Sequence, residues 1–324
     1  MAVHGMPPPD APGAERFMDH NRASATALAA SFIRAVHTRC DRPTLVEDPY
    51  GDRLVTDAER SFMLERLLLT LGAAKREEIR AIPDRARALD AAVHATPSYA
   101  GVLLRTRYTE DQLAAAVARG VAQYVLAGAG FDTFAFRRPD LRARLRIFEI
   151  DHPATQGLKR ERLAWAGLEP PPNLHFVAAD LETEAVAQAL SLSSYASREP
   201  AFFAMLGVTP YLTREANLGT LRAIASCAAP DSEVVFDFLD TEALMPERAS
   251  EEVTRMIAER AATDEPLLSG FDLQRLAGDL AGAGLEMVEE LGASEAEARY
   301  CAGRTHELRM LPHSHIARAR VARP

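Results

Sequence analysis

Two glycines and two acids in the middle of the chain have the spacing of a nucleoside-binding site. Gly128 and Gly130 follow a short apolar run, and Glu149 and Asp151 come 21 and 23 residues after Gly128. Glycine allows positive φ angles, and its missing Cβ atom lets a ligand approach the backbone closely. A carboxylate at the end of the next strand can accept hydrogen bonds from both hydroxyls of a ribose. We therefore expect a nucleoside ligand here, with Asp151 bound to the ribose and Glu149 beside it.

Asp180 and Leu181 extend this pattern to a third predicted strand. They follow the apolar run over residues 174–179. An aspartate there can accept a hydrogen bond from an adenine amino group, while the leucine packs against the ring. A dinucleotide-binding G-x-G-x-x-G sequence would have a third glycine where this chain has Thr133. The three strand ends together favour S-adenosyl-L-methionine over a nicotinamide or flavin dinucleotide as the cofactor.

Further candidate residues lie after the first and fourth predicted strands. Asp132 and Thr133 lie where the first crossover helix begins, so one of them can cap this helix and both can face the ligand. Gly207 follows the fourth strand, and its small size leaves the carboxyl end of that strand open to a ligand. Tyr211 can line the acceptor pocket or pack its ring beneath neighbouring helices. The sequence leaves both roles of Tyr211 open.

Five apolar runs separated by helical segments must position these residues. Each run is spaced for a crossover helix, which predicts a parallel sheet in an α/β fold. The five predicted strands span residues 123–127, 146–150, 174–179, 201–206 and 233–239. Two more strands are predicted over residues 285–290 and 305–311, and their short connection favours antiparallel pairing.

A helical portion is predicted before the sheet. Residues 1–18 are rich in Pro, Gly and Ala and are expected to be disordered. Apolar residues at helical spacing predict helices over residues 21–38, 57–72 and 84–95. These helices make residues 19–120 an all-helical N-terminal portion of the chain.

The remainder of the chain is predicted to be one α/β domain over residues 121–312. Residues 240–270 are charged and helical in pattern, and we interpret them as an insertion that forms either a second lid or a surface segment. Residues 313–324 contain a short basic run and are expected to be a flexible tail. His313 and His315 would then be solvated rather than bound to a metal.

Several ordered motifs resemble those of the leucine carboxyl methyltransferase family. The resemblance is to its bacterial branch, which includes polyketide O-methyltransferases, and it covers roughly residues 20–312. It implies a Rossmann-like class I methyltransferase fold, with a mostly parallel seven-stranded sheet, an antiparallel final strand and a helical N-terminal lid. The motifs that carry it are Arg105-Thr-Arg-Tyr108, Leu126-Ala-Gly-Ala-Gly-Phe-Asp-Thr133, Phe148-Glu-Ile-Asp-His-Pro153, Asp180-Leu181 and Gly207-Val-Thr-Pro-Tyr-Leu212.

The resemblance also implies individual roles. Arg105 matches the position that binds the methionine carboxylate of S-adenosyl-L-methionine, for which a planar guanidinium is suited. The chain departs from eukaryotic members, which have an acid where this chain has Leu206. Tyr211 is a candidate for the acceptor pocket. The complete set of predicted cofactor-binding residues is Arg105, Gly128, Ala129, Gly130, Asp132, Thr133, Glu149, Asp151, Asp180, Leu181 and Gly207.

Composition excludes several other classes of protein. The chain has 324 residues and a net charge of −9, and its arginines are scattered, which argues against a nucleic-acid or membrane surface. Cys40, Cys227 and Cys301 are far apart and suggest neither a disulfide framework nor a zinc site. The N-terminal residues lack the apolar core of a signal peptide, and no long apolar run occurs. A cytoplasmic protein without a metal is expected.

The sequence therefore predicts an S-adenosyl-L-methionine-dependent O-methyltransferase. Its expected acceptor is a carboxylate or acidic hydroxyl of a small molecule of secondary metabolism, and no catalytic base can be identified. A non-catalytic cofactor-binding scaffold or sensor is an alternative, as is a protein carboxyl methyltransferase. A nicotinamide-dependent or nucleotide-sugar enzyme is disfavoured by Thr133 and Asp180. The acceptor and the oligomeric state are left open.

Overall fold

The computed structural model describes residues 25–182, 186–261, 265–304 and 308–322. Within these ranges, seven strands form one sheet in the order β3-β2-β1-β4-β5-β7-β6. The strands are β1 Gln123–Ala127, β2 Arg146–Asp151, β3 Leu174–Ala178, β4 Phe202–Met205, β5 Glu233–Leu239, β6 Leu285–Gly292 and β7 Ser314–Val321.

Strands β1 to β5 are parallel, whereas β7 is antiparallel to both of its neighbours, β5 and β6. The chain order reverses between β1 and β4, and this reversal places a crevice at the carboxyl ends of the strands. The predicted fold class, a mostly parallel seven-stranded sheet of the class I methyltransferase type, is confirmed.

Helices precede the sheet and cover both of its faces. The described part of the helical N-terminal portion contains five of them, and the last of these leads directly into β1. The N-terminal helices are α1 Ala25–Cys40, α2 Asp57–Thr70, α3 Ala73–Arg80, α4 Arg85–His94 and α5 Tyr99–Ala118. The later helices are α6 Phe134–Arg137, α7 Pro139–Arg142, α8 Pro153–Trp165, α9 Val186–Ser191, α10 Arg214–Cys227, α11 Glu251–Ala261, α12 Leu273–Gly282 and α13 Ala293–Tyr300.

Local sequence signals explain where these elements begin. Helix α2 starts at a capping box, in which the Thr56 hydroxyl accepts from the Glu59 backbone and the Glu59 carboxylate accepts from the Thr56 backbone. Helix α8 has Pro153 in its first turn, where a backbone N–H would have no hydrogen-bond partner within the helix, so the lack of one in proline costs nothing. The short β1 run is buried throughout, as expected for a central parallel strand.

The alternation of side chains along β1 divides the core in two. Tyr124 and Leu126 point to the face covered by the N-terminal helices, whereas Val125 and Ala127 point to the opposite face. The N-terminal helices are therefore built onto the sheet and share its core. Residues 1–18, predicted to be disordered, lie outside the described residues.

The end of the chain corrects the prediction of a flexible tail over residues 313–324. Strand β7 occupies 314–321 and lies inside the sheet, and the described part of the predicted strand over 305–311, residues 308–311, is irregular. Two arginines of the basic run that suggested a tail are paired, Arg318 with Glu233 on β5 at 3.0 Å and Arg320 with Glu286 on β6 at 3.1 Å. A run of alternating alanine and arginine has little strand propensity, so its pairing depends on these neighbours.

The histidines predicted to be solvated are also held in place. His313 lies 3.0 Å from Asp240, and His315 lies 2.6 Å from Glu290 and 3.3 Å from the same aspartate. His315 stacks on Phe238 as well. The expectation of a solvated tail is therefore wrong for both histidines.

The predicted insertion follows β5. It contains a short 3-10 helix over Thr241–Leu244 and helix α11, and residues 265–270 then return to the carboxyl edge of the sheet. Leu268 donates its backbone N–H to the carbonyl oxygen of Pro210 at 2.6 Å. Across the described ranges, no helix has the length and apolar character that a membrane span needs.

Candidate functional site

A cavity of about 550 Å³ opens at the carboxyl edge of the sheet. Its size is within the usual range of a small-molecule or cofactor site. We call it the cofactor cavity. The predicted site residues that line it are Arg105, Gly128, Ala129, Gly130, Asp132, Asp151, Asp180, Leu181, Gly207 and Tyr211.

Three glycines give the wall of this cavity its shape. Gly128, Gly130 and Gly207 have φ angles of 79°, 50° and 67°, in the left-handed region that side chains disfavour. A Cβ atom at these positions would lie 2.3 Å from Val208, 2.7 Å from Ala27 and 2.5 Å from the Arg105 guanidinium, respectively. Each glycine therefore has a backbone conformation in which a side chain would be strained, and together they leave bare backbone facing the cavity. This cradle fits a nucleoside cofactor that contacts the backbone.

Asp151 lies at the end of β2 with its carboxylate at the glycine turn. One oxygen accepts the backbone N–H of Gly130 at 2.5 Å, and the other accepts that of His152 at 2.7 Å. Burial raises the pKa of Asp151 above its ordinary value, although the two backbone N–H groups act in the opposite direction. A carboxylate has about four acceptor sites, so it can still accept bonds from a diol.

Asp132 has a structural function at the start of α6. Its carboxylate accepts the backbone N–H of Phe134 at 2.6 Å and lies 3.8 Å from the Arg137 guanidinium. Burial raises the pKa of Asp132 and the charge of Arg137 lowers it, and the net result lies below the ordinary value. Asp132 therefore stays ionised and fixes the turn that follows Gly130.

Arg105 lies in the second turn of α5. Its guanidinium donates to Asp237 on β5 at 2.7 Å. The other oxygen of Asp237 accepts the backbone N–H of Gly207 at 2.6 Å. One acid thus orients both the arginine and the turn after β4.

Asp237 was missed by sequence reasoning, and it bears on the departure at Leu206. Eukaryotic family members have an acid at that position, whereas Leu206 here lines the cavity with an apolar side chain. Asp237 supplies an acid at the same turn from the neighbouring strand. The signal available in the sequence was the aspartate that interrupts the apolar residues 234–239 of β5.

Two predicted ligands do not reach the cavity. The Thr133 hydroxyl is buried and donates to Asp48 at 2.6 Å. Glu149 is buried inside β2 and accepts from Lys159 on α8 at 2.5 Å. Burial raises the pKa of Glu149 to about 7, although Lys159 opposes this rise. The two side chains point into the interior, so the structure does not support a direct contact with the cofactor for either.

A buried network ties the N-terminal helices to the glycine turn. Arg34 on α1 donates to Asp48 at 2.9 Å and to the carbonyl oxygen of Phe131 at 3.2 Å. Asp48 also accepts from Thr133 at 2.6 Å, so one acid joins both segments. At the start of the same helix, Thr26 donates to Glu265 from the insertion, and both line the cavity.

A second, smaller chamber adjoins the cofactor cavity. It measures about 110 Å³. We call it the side chamber. Most of its lining is apolar and comes from α1, α5, α11 and the ends of β4 and β5. The residues that line both spaces and so form their junction are Thr26, Ala30, Val102, Arg105, Gly207 and Tyr211.

Sequence comparisons show which proteins this chain is similar to. It matches the family model described as leucine carboxyl methyltransferase over residues 27–225. YktD from Bacillus subtilis (strain 168), by name an S-adenosyl-L-methionine-dependent methyltransferase, is 32% identical over 90% of this chain and 95% of its own. A Mycolicibacterium paratuberculosis protein with the same type of name is 32% identical over 76% of this chain and 73% of its own.

Solved structures share the fold. A Thermobifida fusca protein, by title a methyltransferase, has a TM-score of 0.57 and 13% identity over 96% of this chain and 98% of its own. A protein of the duf574 family from Streptomyces avermitilis has a TM-score of 0.53 and 15% identity over 94% of this chain and 100% of its own. At this level of identity, the similarity concerns the fold alone.

Proposed function

This chain belongs to the leucine carboxyl methyltransferase family and is an S-adenosyl-L-methionine-dependent methyltransferase, and from this premise we propose that it methylates a carboxylate oxygen of a small molecule. When bound, S-adenosyl-L-methionine supplies a methyl group activated by a sulfonium. The protein then has to hold the acceptor in line, exclude water and have the acceptor deprotonated.

The residues of the cofactor cavity have separate parts in this proposal. Asp151 accepts bonds from the ribose hydroxyls beside the glycine cradle. Asp180 accepts from the adenine amino group, and Leu181 packs on the ring. Arg105 binds the methionine carboxylate with the donors that Asp237 does not use. The placement of these four side chains around one cavity supports this division.

The observation that favours a carboxylate acceptor is that the junction between the two spaces, where we place the reacting group, has no histidine and no acid among its described residues. The acids nearby already accept hydrogen bonds, Asp237 from Arg105 and Glu265 from Thr26, and His152 of the cofactor cavity accepts the backbone N–H of Ala154 at 3.2 Å. A carboxylic acid with a pKa near 4 is ionised at pH 7 without help, whereas a phenol with a pKa near 10 is ionised in about one molecule in a thousand. That difference adds roughly 4 kcal/mol to the barrier for a phenol. A carboxylate suits a site of this kind.

A non-catalytic scaffold or sensor is less well supported. The three glycines with positive φ angles and the cavity-lining acids form a complete cradle, and side-chain substitutions that would block it are missing. The bacterial-branch motifs support an acceptor from secondary metabolism, and the small side chamber supports a small molecule over a protein chain end.

A panel of acceptors tests the proposal. Purified protein is incubated with S-adenosyl-L-methionine that carries a tritiated methyl group, together with small carboxylic acids, phenols, alcohols and amines in parallel. We expect label in the product of at least one carboxylic acid. Transfer to amines or phenols with no transfer to any acid would contradict the proposal and leave methyl transfer itself in place.

A further inference from the structure

We infer that the side chamber binds a compact, uncharged apolar group of the acceptor and thereby sets the size of the molecules that are methylated. This inference rests on the proposed function, since it concerns the acceptor of the same reaction. The junction between the two spaces contains Arg105, Gly207 and Tyr211. An acceptor that reaches the cofactor cavity through this junction has its polar end there and its apolar end in the chamber.

Most of the lining of the chamber is apolar and comes from separated segments. Ile33 lies on α1, Met256 on α11 and Leu267 in the returning insertion, while Met310 and Leu311 precede β7. Methionine side chains are unbranched and adaptable, so they can close around apolar groups of somewhat different shape. This composition favours binding of an alkyl group over that of a polar one.

The volume of the chamber limits the size of that group. An apolar cavity of about 150 Å³ in a well-studied protein holds one benzene molecule. The side chamber, at about 110 Å³, is somewhat smaller. By this comparison it accommodates an unbranched or branched alkyl group of about four to six carbons. Longer chains would need the lining side chains to move.

The charges around the chamber exclude a second charged group on the acceptor. Its charged lining residues in the described ranges are Arg105 and Asp237, and they neutralise each other through a bond of 2.7 Å. An ionised group that entered would lose its water without gaining an ionic partner, which is strongly unfavourable. The structure thus assigns the chamber to a group without charge.

Gly101 offers a way to fill the chamber without disturbing the cofactor cavity. It lies on α5 and lines the side chamber but not the cofactor cavity. A Cβ atom there would meet Met310 at 4.0 Å, an ordinary contact, so Gly101→Leu extends into the chamber without strain at its base. Gly278→Leu on α12 is a matched control, since Gly278 is exposed and a Cβ atom there meets nothing within 4 Å.

The experiment measures binding of straight-chain carboxylates, from acetate to decanoate, to protein saturated with S-adenosylhomocysteine. Calorimetry reports this binding whether or not methyl transfer occurs. We expect affinity to rise about three- to fourfold per methylene up to about five to seven carbons in total and then to level off or fall. Adipate, with its second charge, should bind at least tenfold more weakly than hexanoate.

The variants decide whether the chamber sets this preference. Gly101→Leu should move the preferred chain to a length at least two carbons shorter, Gly101→Ala should move it less, and Gly278→Leu should leave it unchanged. Gly101→Ala also keeps the test valid if the leucine variant does not fold. An unchanged preferred length in the folded Gly101 variants, or equal binding of adipate and hexanoate, would overturn the inference.

Failure of the inference and failure of the proposed function give different results. Carboxylates that bind with the expected length dependence but never receive labelled methyl would contradict the proposed function and leave the chamber assignment standing. If carboxylates are methylated but their preferred length does not respond to Gly101→Leu, the proposed function stands and the chamber assignment is contradicted. Absence of carboxylate binding at millimolar concentration would count against the chamber directly.

Discussion

The cofactor cavity and the side chamber lie next to each other but are built in different ways. The cofactor cavity is formed by turns at the ends of neighbouring strands, and its polar groups are held by short, partly buried hydrogen bonds. The side chamber is formed mostly by apolar side chains, from segments as far apart as Ile33 and Leu311. One region depends on backbone conformation and charge, and the other depends on how distant elements pack.

From this difference we infer that cofactor binding tolerates little change in sequence, whereas acceptor preference can vary. Backbone turns with positive φ tolerate few substitutions, because side chains there collide with Val208, Ala27 or Arg105. An apolar lining tolerates many changes of similar volume. We therefore expect cofactor binding to be sensitive to single polar changes and acceptor preference to respond to changes in volume.

Among the substitutions that test this contrast, Asp48→Asn is expected to have the largest effect on stability and on cofactor affinity. Asp48→Asn leaves the Arg34 guanidinium buried without an ionic partner, and breaking a buried pair costs about 3–5 kcal/mol of unfolding free energy. Because Asp48 also accepts from Thr133, affinity for S-adenosylhomocysteine should fall as well. Urea unfolding and calorimetry measure the two effects.

The control is Asp52→Asn, in the same segment. Asp52 also pairs with arginines, but its side chain is 33% exposed, so its loss should cost at most about 1 kcal/mol. Equal destabilisation by the two variants would show that Asp48 has no special part in joining the N-terminal helices to the glycine turn.

The next effect is expected at Asp151. In the proposed site, Asp151→Ala removes an acceptor for the two ribose hydroxyls, and its loss is expected to cost roughly 1.5–3 kcal/mol, or about ten- to a hundredfold in affinity for S-adenosylhomocysteine. Asp57→Ala, at an almost fully exposed acid, serves as the control. Unchanged affinity in a folded Asp151→Ala protein, as judged by circular dichroism, would remove Asp151 from the site.

A smaller effect is expected at Arg105. Arg105→Lys keeps the charge but loses the planar pair of donors, so affinity for S-adenosylhomocysteine should fall by about 1 kcal/mol, or roughly fivefold, and further in Arg105→Ala. Arg107→Lys is the matched control, because Arg107 lies two residues away and pairs with Asp111 on the same helix. If Arg105 and Arg107 variants bind alike, Arg105 only orients the turn after β4.

Most of the sheet and of the cofactor cavity could be predicted from sequence because both depend on local signals. The apolar runs of β1 to β5 are separated by crossover helices, and their observed ends lie close to the predicted ones. Gly128, Gly130 and Asp151 were recognisable from their spacing, and they do lie together at one edge of the sheet.

The features that could not be predicted depend on contacts between distant residues. Asp237 pairs with Arg105 across 132 positions of sequence, and no spacing rule indicates such a pair. Thr133 and Glu149 were identified as near the cofactor, but their buried partners, Asp48 and Lys159, turn both side chains inward. Strand β7 resembled a basic tail because its arginines are neutralised only by neighbouring strands.

The side chamber was beyond sequence reasoning for the same reason. No sequence motif marks the residues that line the chamber, such as Gly101, Met256 and Met310. They come together only because α5, α11 and the segment before β7 pack against one another. The acceptor therefore has to be sought through the volume and charge of this chamber.

Methyl transfer to a carboxylate gives an ester, and the chemical stability of the product distinguishes an ester from other methylated products. The product made from a small carboxylic acid and S-adenosyl-L-methionine with a labelled methyl group is treated with mild alkali. We expect the label to be released as methanol. Label that resists alkali and maps to a phenolic ether or to nitrogen would show that no ester had formed.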